Sequence, residues 1–169
     1  MCIRDSFRSK KGLYQAILTD TLAALLARLQ VVRGGGRSAP EQLREFIAAF
    51  ADRAREHPAV PAMLLREVLS GGEHLDPAIF TTILGVFGLV RDIVAQGTRQ
   101  GTFRKVDPLL THLSIVGALL FFFGSEPFRR RVLAEVPIGR APRAESFVAH
   151  MQEATTRGLA PDAPVRRKR

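Results

Sequence analysis

The stretch that decides the fold is DPLLTHLSIVGALLFFF, residues 107–123. Asp107 followed by Pro108 is typical of a helix start, because the carboxylate can accept the first free amide hydrogens and proline needs no hydrogen-bonded N–H there. The apolar residues that follow cover nearly the whole circumference in the second half of the helix. We therefore expect this helix to be buried on all sides, or to be buried on one side and paired with another chain on the other.

The residues before this stretch repeat the helical spacing of apolar side chains, and no segment alternates as a half-buried strand does. One helix is predicted from Lys10 to the three glycines at 34–36. The next is predicted to begin at a capping box formed by Ser38 and Glu41, and to run to about His57.

Four further helices are predicted. One is short and ends at Leu69, and the next runs from Ala78 to about Gln100 after Asp76-Pro77. The last two cover 128–136 and run from Arg143 to about Arg157, with Gly158 as C-cap. Together they indicate an all-α fold, an antiparallel bundle of about six helices. We expect one helical domain over residues 10–159. A remnant over 1–9 precedes it, and a disordered basic tail over 160–169 follows it.

The composition is that of a soluble globular protein, with 46% apolar and 24% charged residues. The net charge of +9 would favour anionic partners, but Arg166–Arg169 supply four of the nine charges, and such a terminal run is usually a solvated tail. Cys2 is the only cysteine, which agrees with a reducing compartment. The longest apolar run, residues 115–123, is shorter than the roughly 20 residues of a membrane span. We expect a cytoplasmic protein with no membrane contact.

Residues for catalysis are not evident in the sequence. The four histidines are scattered, without the close spacing of a metal site, and the glycines at 34–36 do not follow a strand as a phosphate-binding loop would. No nucleophile has an evident base beside it. The sequence therefore predicts no enzyme activity, no catalytic residue, no metal site and no cofactor.

Three short motifs resemble those of TetR-family transcriptional regulators. Phe7, Ser9, Lys10 and Leu13 match, at the right spacing, the segment where the family's recognition helix ends and the next helix begins. The other two are Gln100-Gly101-Thr102-Phe103 with Val106-Asp107-Pro108, which resembles the turn between the family's two long later helices, and Thr156-Arg157-Gly158-Leu159, which resembles the end of its last helix.

The resemblance implies a DNA-binding regulator, with Lys10 against a DNA phosphate. A complete member carries three short helices before the position of Phe7, so residues 1–9 are interpreted as a partly non-native remnant after a truncated helix-turn-helix. Reading bases requires a recognition helix in the major groove. Operator DNA is therefore expected as a partner of the full-length parent only.

The resemblance also implies a ligand pocket among the helices that carry Phe50, Met63, Phe87 and His112. The expected ligand is a small apolar or amphipathic effector, because such pockets are largely apolar with a few orienting polar groups. Arg66 and His112 are the polar candidates, since both lie among apolar neighbours at helical spacing. The complete set of pocket candidates is Phe50, Met63, Arg66, Phe87, His112 and Val116.

A homodimer is predicted from the apolar helix over 109–123. Three consecutive phenylalanines cannot all point into one small core, and an exposed patch of that size indicates an association surface. Alternatively, the segment 128–136 folds over them. The resemblance pairs this helix with the last one, which gives these interface candidates: Leu113, Leu120, Phe121, Phe122, Phe147 and Met151.

The resulting hypothesis is the ligand-sensing and dimerising domain of a TetR-like regulator, a repressor that a small effector releases from DNA. Two other interpretations stay open. A stand-alone helical ligand carrier would use the same pocket without DNA-reading helices, and a module that forms heterodimers with a full-length regulator would use the same apolar helix.

Overall fold

The computed structural model describes residues 10–33, 36–136 and 141–162. Over these residues it contains no strand, so the predicted all-α class is confirmed. The described residues form seven helices, one more than the approximate number expected: α1 (Lys10–Arg33), α2 (Ala39–Glu56), α3 (Ala59–Leu69), α4 (Pro77–Arg99), α5 (Pro108–Gly124), α6 (Glu126–Glu135) and α7 (Ala144–Leu159).

Helix α2 lies at the centre of the bundle and packs against α1, α3, α4, α5 and α7. Its inward face repeats at helical spacing, with Leu43, Phe46, Ile47 and Phe50 all buried. Two pairs of helices, α1 with α4 and α3 with α5, pack around it. One continuous hydrophobic core results, and every helix except α6 contributes at least one buried residue to it.

The predicted helix starts are confirmed at α2, α4 and α5. The Asp76 carboxylate accepts the amide of Ile79 at 2.8 Å, and the Asp107 carboxylate accepts the amide of Leu109 at 2.7 Å. At α2 the Glu41 carboxylate reaches back to the backbone N–H of Ser38 at 2.8 Å. These contacts are local in sequence, so they form wherever the chain places the helix.

The turn after α4 is closed by a glycine. Gly101 has a φ of +69°, a conformation that side chains disfavour, and it lets the chain reverse so that Phe103 returns to α4. There Phe103 is buried directly against Gly97, where a Cβ atom would lie 2.1 Å from the ring. Gly97 therefore allows the close packing of Phe103 against α4.

The predicted C-cap at Gly158 is wrong, because α7 continues to Leu159. The turn between α4 and α5 binds this helix end. The backbone N–H of Arg104 donates to the Leu159 carbonyl at 2.8 Å, and its Nε donates to the Gly158 carbonyl at 2.9 Å. Carbonyl groups of the last turn, which sequence reasoning assigned to a local cap, are satisfied by a distant segment.

Helix α6 turns away from α5 by 61° and contributes no buried residue. Of the three consecutive phenylalanines it contacts Phe122, over whose ring the Arg129 guanidinium lies at 4.0 Å from the centroid. Phe121 stays 60% exposed, whereas Phe122 is buried and Phe123 is partly buried. The alternative in which residues 128–136 fold over all three rings is therefore wrong.

Helix α4 is long and apolar enough, by length and composition alone, to cross a membrane, although no uninterrupted apolar run suggested it. Read together across their bend, α5 and α6 pass the same test. A core helix of a soluble protein passes it as well. Val86, Leu89, Val90, Ile93 and Val94 of α4 are buried in the core, and α4 packs against α1, α2 and α5.

Several predictions concern residues outside the described part of the chain. They are the remnant over 1–9, the cap at Ser9, the side chain of Lys10, and the basic run in the tail.

Candidate functional site

An apolar cavity of about 290 Å³ lies between five helices. Its volume is near the lower end of the range of roughly 300–1,000 Å³ usual for small-molecule pockets. The lining side chains are almost wholly aliphatic or aromatic: Leu22 and Leu25 of α1, Phe50 of α2, Leu64, Leu65 and Val68 of α3, Ile83 and Val86 of α4, and His112, Leu113, Val116, Leu120 and the backbone of Gly117 of α5.

Helix α5 supplies the longest wall of the cavity. Its residues 112, 113, 116, 117 and 120 recur at the i, i+4, i+8 spacing of one helix face. The neighbouring face, with Thr111, Ile115 and Leu119, is buried in the core. The apolar circumference noted in the sequence therefore includes one face packed in the core and one face open to the cavity.

The one side chain in this wall that can form hydrogen bonds is His112. Its Nδ1 atom is buried and has no hydrogen-bond partner within the described residues. The ring packs edge-on against Phe87, with centroids 5.3 Å apart and planes at 87°. Burial lowers the pKa of His112 below its usual 6.5, because an apolar environment disfavours the charged imidazolium. The cavity therefore presents a neutral imidazole at neutral pH.

Three of the six predicted pocket residues line the cavity: Phe50, His112 and Val116. Phe87 is not among the lining residues, but its ring packs edge-on against that of His112. Met63 and Arg66 are on α3 but on faces turned away from the cavity, because Leu64, Leu65 and Val68 occupy the lining face at helical spacing. Arg66 is exposed.

Sequence reasoning missed most of the lining. Leu22, Leu25, Leu65, Val68, Ile83 and Val86 were not among the pocket candidates, because only the packing of five helices brings them together. Leu113 and Leu120 were assigned to a dimer interface, yet both line the cavity. The period of apolar residues on α3 was the one sequence signal that could have excluded Met63 and Arg66.

A polar cluster lies on the other side of α3, facing α1. The Tyr14 hydroxyl donates to Glu67 Oε1 at 2.6 Å, and the backbone N–H of His74 donates to Glu67 Oε2 at 3.2 Å. Glu67 is only 3% exposed. These hydrogen bonds, led by the one from Tyr14, lower the pKa of the Glu67 carboxyl and keep it ionised.

A second concave surface, a groove of about 600 Å³, runs between α5 and the C-terminal half of α7. Its sides include Leu110 and Ser114 of α5, and Met151, Ala154 and Gly158 of α7. Beside it α5 exposes a stripe of large apolar side chains: Leu109, Leu110, Leu113 and Phe121 are each at least 50% exposed.

The predicted interface residues separate into three groups in the structure. Leu113 and Phe121 lie on the exposed stripe of α5. Phe147 and Met151 are partly buried on α7. Leu120 and Phe122 are each only 8% exposed, and the Phe122 ring stacks on Phe147 at 3.8 Å between centroids. Leu120 and Phe122 are thus not part of the exposed surface.

The residues that line the cavity are suited to binding a molecule and not to catalysis. None of its lining residues is an acid, a lysine or an arginine. Within the part of the chain that the structure describes, no group of three or more His, Cys, Asp or Glu side chains could hold a metal ion. Such a cavity can hold an apolar molecule and orient it through His112.

Comparison with solved structures shows similar folds. A TetR-family regulatory protein from Rhodococcus RHA1 has a TM-score of 0.73 at 16% identity, covering 95% of this chain and 80% of that one. A TetR/AcrR-family transcriptional regulator from Thermobifida fusca YX-ER1 has a TM-score of 0.64 at 16% identity, covering 87% and 72%. A Rhodococcus sp. RHA1 protein of unknown function has a TM-score of 0.68 at 17% identity, covering 92% and 75%.

No curated protein sequence matches the chain. Residues 40–156 match a protein-family model described as a tetracyclin repressor-like, C-terminal domain. This match spans α2 to nearly the end of α7, and therefore includes the cavity walls from α2 to α5 and most of the groove beside α7. The chain belongs to the tetracyclin repressor-like C-terminal domain family, the regulatory domain of TetR-type transcription factors, and is not an enzyme.

Proposed function

We propose that this chain is the effector-binding and dimerising domain of a cytoplasmic repressor, which a small apolar or amphipathic molecule releases from DNA. The observation that carries the proposal is the cavity of about 290 Å³, whose apolar lining includes a single side chain able to form hydrogen bonds, His112. A cavity with few polar groups is suited to bind and orient a small apolar molecule.

The position of α1 supports a regulatory role for the cavity. Leu22 and Leu25 of α1 line it, and the same helix begins at Lys10, beside the segment that resembles the family's link to its DNA-reading helices. A ligand that contacts α1 can shift its position if it binds one arrangement more tightly than the other. The proposed release from DNA follows from that difference in affinity.

Binding can be tested with para-ethyltoluene, a hydrocarbon small enough for the cavity, titrated into the full chain and followed by heteronuclear NMR. We expect shifts for cavity residues, with the backbone amide of Gly117 as a reporter in the wall. Val116→Phe should fill the cavity and abolish these shifts. Leu84→Phe, at an exposed position on α4 outside the cavity, is the matched control. No shift in the wild type would contradict the proposal.

The proposed homodimer uses the groove between α5 and α7 together with the apolar stripe on α5. Exposed apolar stripes of this kind usually mark association surfaces. Leu110 borders both features, so the groove and the stripe are continuous. A symmetric pair of such surfaces would bring α5 and α7 of two copies together as four helices.

Phe121→Glu tests this interface, because it places a charge in the apolar stripe. We expect the wild-type chain to be a dimer and the variant to be a monomer in sedimentation experiments. The matched control is Phe80→Glu, which changes another exposed phenylalanine, 53% exposed on α4. Equal masses for the wild type and Phe121→Glu would contradict the proposed interface. A monomeric Phe80→Glu variant would instead place the dimer interface on α4.

DNA binding is proposed for the parent protein and can be tested at the gene. Sequencing the genomic DNA upstream of the Phe7 codon should show an in-frame segment that encodes three helices, the last one rich in aromatic residues. A stop codon or ribosome-binding site there would contradict DNA binding, and would favour a stand-alone carrier or a module that forms heterodimers.

A further inference from the structure

The apolar cavity has both buried and exposed lining residues. Leu22, Phe50 and Leu120 are each at most 8% exposed. Val68 of α3 and Leu113 of α5 also line the cavity, yet they are 65% and 56% exposed. A side chain that lines a cavity and is more than half exposed lies where the cavity meets solvent. The cavity therefore opens between α3 and α5, and no described part of this chain covers that opening.

The opening is continuous with the apolar stripe on α5. Leu113 belongs to both, and Gly117, which is exposed, also lines the cavity. Leu113, Gly117 and Phe121 are spaced four residues apart, so they lie along one face of the helix. A partner that packs along the stripe therefore contacts two residues of the cavity lining.

Gly117 has no packing role within the described part of the chain. A Cβ atom there would meet nothing within 4 Å, whereas a Cβ atom at Gly97 would lie 2.1 Å from the ring of Phe103. Glycine inside a helix lowers its stability relative to alanine, but it allows another group to approach the backbone closely. Its position at the opening is therefore suited to a close contact with a molecule outside this chain.

The chemistry of the stripe fits a second copy of itself. The stripe extends about 18 Å from Leu109 to Phe121, at about 1.5 Å per residue. Helix α5 contains no aspartate, glutamate, lysine or arginine. A charged partner would lose hydration on this surface without gaining an opposite charge. A two-fold symmetric contact instead sets the same uncharged stripe against itself.

We propose that a second copy of this chain covers the opening of the cavity, so that the effector site is complete only in the dimer. The side chains that close it come from the α5 stripe of the second copy, because a symmetric contact places the two stripes together. This inference rests on the proposed function of the cavity and of the stripe. It adds a coupling between them: the effector binds the dimer more tightly than the monomer, and by linkage it stabilises the dimer.

The first test measures the dissociation constant of para-ethyltoluene by NMR titration, with the dimeric wild-type chain and with Phe121→Glu as the monomer. Phe121 is 60% exposed and does not line the cavity, so this substitution leaves the cavity lining unchanged. We expect the monomer to bind the probe about ten-fold more weakly, within the range typical of coupled sites. Phe80→Glu, on α4 and also outside the lining, should bind it as the wild type does.

The second test uses the wild-type chain alone. Sedimentation at several protein concentrations gives its dimer dissociation constant with and without para-ethyltoluene. Each dimer contains two sites and the coupling is reciprocal, so a factor of about ten per site should lower this constant about a hundred-fold at saturating probe. This measurement tests the inference even if Phe121→Glu does not fold.

Equal probe affinities in the dimer and the monomer would overturn the inference, and so would a dimer dissociation constant that the probe leaves unchanged. A wild-type chain that stays monomeric with the probe bound would overturn it as well. In all three cases the probe still binds, so the proposed effector site stands and its closure by a second copy is rejected. If the probe shifts no cavity resonance in the wild type, the binding function itself is rejected, and this inference with it.

Discussion

The hydroxyl group of Tyr14 donates a 2.6 Å hydrogen bond to Oε1 of Glu67, and this contact joins the first turns of α1 to α3. The two residues are 53 positions apart in the sequence. Glu67 is buried on α3, next to the face with Leu64, Leu65 and Val68 that lines the cavity.

Tyr14→Phe should lower the free energy of unfolding by about 1–2 kcal/mol at neutral pH, because it leaves a buried carboxylate short of a hydrogen bond. The lowered pKa of Glu67 means that its carboxylate stabilises the fold above the usual value of 4.5, and that this stabilisation is lost as the pH falls below it. The difference between wild type and Tyr14→Phe should therefore shrink in acid. Urea unfolding at several pH values measures both effects. A difference that is constant with pH would contradict the role of Glu67.

Tyr14 is the only tyrosine in a chain without tryptophan, so tyrosinate absorbance reports on this residue alone. Burial, and then the hydrogen bond to Glu67, raise the pKa of Tyr14 to about 12. Since the folded pKa lies above the ordinary value of 10, the stabilisation is complete below pH 10 and is lost as the pH rises toward 12. Glu67→Gln should move the midpoint toward 10. A midpoint near 10 in the folded wild type, with helicity checked by circular dichroism, would contradict the contact.

Gly97→Ala and Gly88→Ala form a matched pair within α4. A Cβ at Gly97 would lie 2.1 Å from the buried ring of Phe103, so the turn after α4 must move, at a cost of about 1–3 kcal/mol. A Cβ at Gly88 would meet nothing within 4 Å, and alanine there should stabilise the helix by up to about 1 kcal/mol. Thermal unfolding should show opposite shifts. Shifts of the same sign would contradict the close approach of Phe103 to Gly97.

His112 should make the protein less stable in weak acid. Its folded pKa lies below the usual 6.5, so its contribution to stability is complete above that value and is lost as the pH falls below it. His112→Phe should remove this part of the decline between about pH 7 and pH 5. Thermal melts over that range measure it, with Leu84→Phe as control. An unchanged decline in His112→Phe would show that the imidazole is not buried as described.

The helix starts were predictable from the sequence because their hydrogen bonds are local. Asp76 and Asp107 each bind amides two or three residues away, so the dipeptide with proline was sufficient. The end of α7 was not predictable in this way. Gly158 has the residue type of a C-cap, but its carbonyl group is bound by Arg104, 54 positions earlier in the chain.

The candidate site was predictable only in part. His112, Phe50 and Val116 were found because family likeness indicated the helices that carry them. Arg66 was assigned to the pocket although it lies on a face of α3 turned away from the cavity, since a helix pattern shows which residues share a face without showing what that face contacts. For the same reason, the sequence could not show that Leu113 and Leu120, which were assigned to the dimer interface, line the cavity.

The sequence by itself determined the all-α class, the helix boundaries to within a few residues and the apolar faces, because these depend on neighbours within one or two helical turns. Only the tertiary structure decided which faces enclose the cavity, that Nδ1 of His112 is buried without a hydrogen-bond partner, and that Tyr14 meets Glu67. Those features depend on contacts between residues far apart in the chain. Their geometry is set by the packing of whole helices and not by any local pattern.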